Sequence, residues 1–258
     1  MTDNASPTPA PEAPVIERVR YDVVKRRELT VKSADRITPN MLRLTLAGDE
    51  LADFSSLGFD DHIKVIVPDG AGGTVMRDYT PRRHDAATNE LVIDFALHDA
   101  GPATLHAVNA RPGDRFTIGG PRGSQVISRY IASWLLVGDE TALPAIGRRI
   151  EELGAGVQVT TLAAVPSPDD EQAFAGTATV VSRWIHRPVS AATDPAPFIA
   201  ALAEIDIPAG TFVWVAAEAT VARAVRAYLT GERGVPLFWL KARGYWVQGK
   251  ADATEEFG

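Results

Sequence analysis

Arg77, Asp78, Tyr79 and Thr80 close a run that reads as an extended strand, and their spacing poses the first chemical question. Side chains two apart share a face of an extended chain, so Arg77 and Tyr79 present a guanidinium and a phenol together. That pair suits a ligand with a planar heterocycle and a diphosphate. The ring would lie against the phenol, Arg77 would make charge-assisted hydrogen bonds to the phosphates, and Thr80 would add a short hydroxyl. The same residues also fit an edge strand with a solvated arginine and a tyrosine that merely packs. Downstream, Gly101 and Pro102 open a short helix. Proline suits the first helical position because its missing N–H would lack an intrahelical acceptor, and the amides of Ala103 and Thr104 lack one too. With the helix dipole they form either a seat for an anion or an ordinary capped start.

A third feature, VGDETALPAI at 137–146, stands where an apolar strand passes into a helix. Open α/β sheets bind nucleotides at such positions. G-x-G-x-x-G is missing from it. Asp139 and Glu140 either repel a diphosphate placed very close or favour the helix dipole. The loop after the next strand, PSPDDEQ, holds three acids and no arginine. Acid at a strand end suits a ribose diol, which favours NADH. Arg183, His186 and Arg187 reverse this if they reach a 2′-phosphate, and they fit equally as surface charge.

Two kinds of sequence must position these residues. From about residue 15, short alternating runs such as DHIKVIVP and ELVIDFAL are broken by turn residues, which predicts an antiparallel β-barrel. Near Ser133 the pattern changes to apolar strand, amphipathic helix, apolar strand, and it does so again from Thr211 to Leu240. Repeated βαβ units predict a parallel sheet. The fold class is therefore β followed by α/β: an antiparallel barrel at 15–130, then a parallel-sheet nucleotide-binding domain at 131–258. The first 14 residues, rich in proline, read as a disordered tail. A length of 258 residues accommodates two such cores.

Composition removes several function classes. With no cysteine, the chain has no disulfide, thiolate nucleophile or cysteine-ligated metal centre, so any redox chemistry needs a bound organic cofactor. A net charge of -7 argues against general nucleic-acid binding. No apolar run is long enough to cross a bilayer and no secretory pattern opens the chain, so a cytoplasmic protein is expected. His62, His84 and His106 are expected to pack or to face solvent, and the scattered carboxylates make no metal cage.

Six stretches occur in one order: DHIKVIVP, RDYT, DFALHDAGPAT, GGPRGS, VGDETALPAI and GYW. In that order they resemble the siderophore-interacting protein family, a branch of the ferredoxin–NADP reductase-like flavoproteins, over nearly the whole chain after the tail. The resemblance implies FAD on Arg77, Tyr79 and Thr80, with Tyr79 near the isoalloxazine. His98 and the Gly101, Ala103 and Thr104 turn would lie along the diphosphate. Asp94, Arg122, Gly123, Ser124, Thr141, Ala142 and Trp246 complete the implied cofactor contacts. NAD(P)H or a reduced ferredoxin would supply electrons, and a ferric siderophore would receive them. Lys64, Arg122, Arg243 and Lys250 are the basic residues expected to dock that complex. The last two are included because Val247 follows Trp246 where the family usually carries a basic residue. Ala216 and Ala217 stand where relatives often have glycine, and their methyls are expected to crowd a dinucleotide. No general acid or base is required, since hydride passes directly between rings. The expected activity is ferric-siderophore reduction; a general flavin or ferric reductase, or a siderophore-binding protein without turnover, also fits.

Overall fold

The computed structural model describes residues 13–14, 16–97, 101–128 and 130–257. Most of the expected tail, residues 1–12, lies outside them. Alternating apolar and polar side chains build β1 (Ile16–Arg20), β2 (Arg26–Thr38), β3 (Met41–Ala47), β4 (Ile63–Pro68), β5 (Thr74–Tyr79), β6 (Pro81–Asp85) and β7 (Glu90–Ala96). A short helix, α1 (Pro102–Asn109), precedes β8 (Arg115–Gly119) and β9 (Gly123–Ile127). Seven strands form one antiparallel sheet in the order β5-β4-β8-β2-β3-β7-β6, while β1 and β9 pair as a separate ribbon. The edge strands β5 and β6 are joined by Thr80 alone, so the sheet curls into a half-barrel without a closing hydrogen-bonded ladder. Leu29, Leu44, Leu46, Phe95, Phe116 and Ile118 fill its interior. Helix α1 packs Ala103 and Ala107 into the same core and touches β4 and β5, which brings its first turn beside the end of β5.

The second half runs β10 (Ser133–Gly138), α2 (Leu143–Glu152), β11 (Gln158–Val165), β12 (Thr179–His186), α3 (Ala196–Ala203), β13 (Thr211–Glu218), α4 (Ala219–Gly231), β14 (Leu240–Trp246) and β15 (Glu255–Glu256). The sheet order is β12-β11-β10-β13-β14-β15, parallel except for the last strand. Every residue of β13 is buried, as expected of a central strand covered on both faces. The chain works outward from β10 to one side through β11 and β12, then crosses to β13 on the other. The crevice produced by that reversal opens at the carboxyl ends of β10 and β13. A methyl at Gly138 would lie 2.4 Å from the Ala142 side chain and 2.7 Å from the Ala216 carbonyl, so only glycine lets the α2 approach close down on the sheet. Among the described residues no helix is long and apolar enough to cross a membrane.

The two halves are held together by apolar and polar contacts. Met41 and Phe59, from the first half, belong to the core of the second. The buried Asp60 accepts from Trp214 Nε1 at 2.9 Å and pairs with Lys241 at 2.6 Å. Arg148 of α2 donates to the carbonyls of Pro81 at 3.0 Å and Ser56 at 2.8 Å. Arg149 stacks over Trp134 at 4.1 Å and reaches Phe59 at 5.2 Å; burial pushes its guanidinium down to about 10. These contacts fix the edge between the halves, where the cleft lies.

Candidate functional site

A cleft of about 470 Å³ opens where the end of β5, the start of α1 and the carboxyl ends of β10 and β14 converge. Arg77, Tyr79, Thr80, Asp94, Gly101, Ala103, Thr104, Thr141, Arg243, Trp246 and Lys250 all line it, so residues singled out in both halves meet. The Tyr79 ring packs on Phe95 with centroids 4.3 Å apart. Its phenol is pushed up to about 12 by burial, opposed by a hydrogen bond with the Thr104 side chain, so it stays neutral. Arg77 donates to its neighbouring carbonyl of Met76 at 2.7 Å and has no carboxylate partner among the described residues, which leaves its charge available to an anion. Pro102 occupies the first turn of α1, and a methyl built on Gly101 would meet no atom of the described residues within 4 Å, so among them the approach to that turn is open. His98 lies outside the described residues.

Asp139 organises the opposite wall. Buried at 1% exposure, it accepts from Thr141 N at 2.9 Å, Thr141 Oγ1 at 2.5 Å, Glu218 N at 2.8 Å and Trp246 Nε1 at 2.9 Å. One carboxylate thus ties together the ends of β10, β13 and β14 and orients the Trp246 indole at the cleft. Thr141 lines the cleft with its polar groups already committed. Ala142 sits behind the wall: it is fully buried and its amide donates to the Asp139 carbonyl at 3.0 Å. Glu140 is held by Arg187 at 2.9 Å, and burial, reinforced by the neighbouring Asp139, pushes its carboxyl up to about 7.

The acidic loop after β11 has a different use from the one expected. Asp170 accepts from Thr38 Oγ1 at 3.1 Å and from the Asn40 amide and side chain at 2.9 Å each, latching the β2–β3 turn. Glu171 pairs with His186 at 2.8 Å. Two of the three acids thus serve the fold, and the argument for NADH that rested on them loses its basis. The methyls of Ala216 and Ala217 pack within the α/β core, so the crowding expected of them falls there and not in the cleft.

Other expected cofactor contacts lie elsewhere. Arg122 is exposed and outside the cleft lining. A methyl on Gly123 would lie 2.3 Å from the Val19 carbonyl, so this glycine serves the close approach of β1 to β9. Ser124 is buried and hydrogen-bonds Asp61 at 2.6 Å, Tyr21 at 2.8 Å and the Leu57 amide at 3.0 Å. Gly123 and Ser124 therefore join the ribbon to the half-barrel. Asp94 reaches the cleft, but both its oxygens bind Arg43 at 2.7 Å. That pair follows from the β3–β7 register, which sets Arg43 opposite Asp94.

Two of the four basic residues expected to dock a ligand are paired. Lys64 Nζ lies 3.0 Å from both Asp78 and Asp252. Arg243 pairs with Glu256. Lys250 stands exposed at the rim, where an isolated bridge between Val247 and Lys250 folds the chain so that the lysine comes back beside Val247. Asp60, His62, Asp78, Tyr245 and Asp252 also line the cleft and went unassigned in the sequence. The consecutive acids before His62 were a visible signal; Asp252 gave none, because only the return of the C-terminal segment places it.

Residues 30–75 and 69–125 match the model of the siderophore-interacting FAD-binding domain, and residues 131–249 match that of the siderophore-interacting protein. The NADPH-dependent ferric-chelate reductase of Escherichia coli is 34% identical over 252 residues, spanning 89% of this chain and 96% of that protein. The chain belongs to the siderophore-interacting protein family. A crystal structure of a siderophore utilization protein from T. fusca superposes with a TM-score of 0.83 at 35% identity, over 93% of this chain and 98% of that one. Ferric vibriobactin reductase of Vibrio cholerae is 28% identical over 83% of this chain and 86% of its own length. The FAD/NAD binding domain of nitric oxide dioxygenase from Vibrio cholerae shares this fold, with a TM-score of 0.63 at 14% identity, over 83% of this chain and 96% of that one.

Proposed function

We propose that the protein is an FAD-dependent reductase that passes electrons from NADPH to a ferric siderophore. The observation that carries this reading is the shared cleft, which sets Arg77, Tyr79 and the open α1 turn against Trp246 and Thr141. The residues present fit FAD: the Arg77 guanidinium, without a carboxylate partner among the described residues, and the first amides of α1 suit its diphosphate, and the Tyr79 ring suits its planar end. Bound FAD would accept a hydride and release electrons singly, as transfer to iron requires. The chain's own part is placement and electrostatics. Tyr79 and Trp246 limit the space open to ring systems, while Lys250, exposed at the rim, lowers the work of bringing an anionic complex to the cleft, and Lys64 and Arg243 add to this once released from their carboxylates. Ferrous iron binds hard oxygen ligands less tightly than ferric iron, so reduction frees the metal without destroying its carrier. NADPH is favoured as donor because the Escherichia coli relative is named as NADPH-dependent.

The test begins with the visible spectrum of the purified protein and identification of the cofactor released on denaturation. Anaerobic bleaching by NADPH against NADH then ranks the donors, and a ferrous trap with added ferric siderophore reports turnover. A folded sample that stays colourless and refuses saturating FAD would sink the reading.

A further inference from the structure

The C-terminal segment turns at Gly249, where φ is 75°, and returns as β15 with Glu255 opposite Gly244 and Glu256 opposite Arg243. It lays carboxylates on the cations offered by two walls of the cleft. Asp252 lies 3.0 Å from Lys64 and Glu256 pairs with Arg243, so the oxygens of this strap stand where those of an anionic ligand would approach. Its far end is anchored independently: Glu255 pairs with Arg223, and Phe257 packs on the α/β core. The two blocking pairs are exposed, with 41% of the Asp252 side chain and 72% of that of Glu256 open to solvent. Exposed ion pairs of this kind are weak and salt-sensitive, so their carboxylates can leave while the anchored end stays.

We propose that Asp252 and Glu256 set the charge selectivity of the cleft, competing with multiply anionic ferric complexes for Lys64 and Arg243 and leaving neutral complexes unopposed. The proposal rests on the reading of the cleft as a ferric-siderophore site. A trianionic tris-catecholate must either displace both carboxylates or sit beside them; a neutral trihydroxamate meets no such opposition. Removing one carboxylate faced by a trianion at about 7 Å raises affinity roughly fivefold at about 0.1 M salt, and the gain fades as screening grows.

Equilibrium dialysis of the FAD-loaded protein against a ferric tris-catecholate and a ferric trihydroxamate tests this without relying on turnover. Asp252→Asn, Glu256→Gln and their combination are compared with wild type and with Glu204→Gln, an exposed charge change beyond α3 and outside the cleft. The expected result is a roughly fivefold gain for the trianion in each single variant and about twentyfold in the double. The neutral complex should stay within about twofold throughout, as should both complexes with Glu204→Gln, and the gains should shrink in about 0.5 M salt. Equal changes for both complexes, or an unmoved trianion affinity, would overturn the selectivity role while leaving the site intact. Failure of both complexes to bind wild type and variants alike would instead remove the site itself, and the proposal with it.

Discussion

Replacing Asp139 by asparagine keeps the shape of the side chain and removes half of what it does. The carboxylate receives four hydrogen bonds, two on each oxygen, from Thr141, Glu218 and Trp246. An asparagine amide serves this cluster best with its NH2 toward Thr141, whose hydroxyl can rotate to accept. The Thr141 amide then loses its acceptor, at about 1–3 kcal/mol. Bonds from Glu218 N and Trp246 Nε1 pass from a charged to a neutral acceptor, losing about 1 kcal/mol each. Relief of the repulsion between Asp139 and Glu140 returns roughly 1 kcal/mol. The net loss is about 2–4 kcal/mol, which at an m-value near 2 kcal/mol/M lowers the urea midpoint by about 1–2 M. All five tryptophans fall at 134 or later, so intrinsic fluorescence reports the α/β half in which the loss occurs. A cycle with Trp246→Phe should show about 1 kcal/mol of coupling, because Asp139→Asn weakens by about that much the bond that Trp246→Phe removes. A midpoint within about 0.3 M of wild type, with no coupling, would refute the assignment of Asp139 as the clasp between strand ends.

Other perturbations test the rest of the structure. Tyr79→Phe should cost about 0.5–1.5 kcal/mol through the lost Thr104 bond and leave FAD bound, as measured by urea titration and by the flavin spectrum. With the Tyr79 phenol near 12 in the folded state against 10 when unfolded, the unfolded chain ionises first; stability should fall between pH 10 and 12, and less so in Tyr79→Phe. Glu140, near 7 when folded against 4.5 unfolded, takes up its proton first in the native state. Its contribution is present below pH 4.5 and lost as pH rises through 7, so Glu140→Gln should remove that part of the pH dependence of the urea midpoint. Gly123→Ala should detach β1 from β9, read as faster hydrogen exchange at 16–20, while FAD affinity stays unchanged; a fall in affinity with β1 still protected would return Gly123 to the cofactor.

Much of the molecule was legible from local pattern. The alternating strands and the helices around 143–152 and 219–231 appear where the periodicity places them. The RDYT stretch and the Gly101–Pro102 helix start reach one cleft because strand alternation and helix capping are backbone properties carried over a few residues. Residue type alone was a poorer guide to use. Gly123 fits a phosphate loop as readily as a tight strand crossing, and the distance to Val19 separates the two. Asp170 fits a ribose diol as readily as a turn, until Asn40 is seen to occupy it.

By itself the sequence determined the two-layer grammar, the absence of cysteine chemistry and the placing of Arg77 and Tyr79 together at a strand end, since each depends on composition or on neighbours within a few positions. Tertiary structure alone decided which charges remain available. Lys64 is met by Asp252, 188 positions away, Trp246 by Asp139 and Asp60 by Trp214. Such partners are chosen by sheet order and by how the halves pack, and no local period encodes them. A charged side chain has a use only once its partner is known, because pairing and burial set whether its field reaches a ligand or is cancelled within the fold.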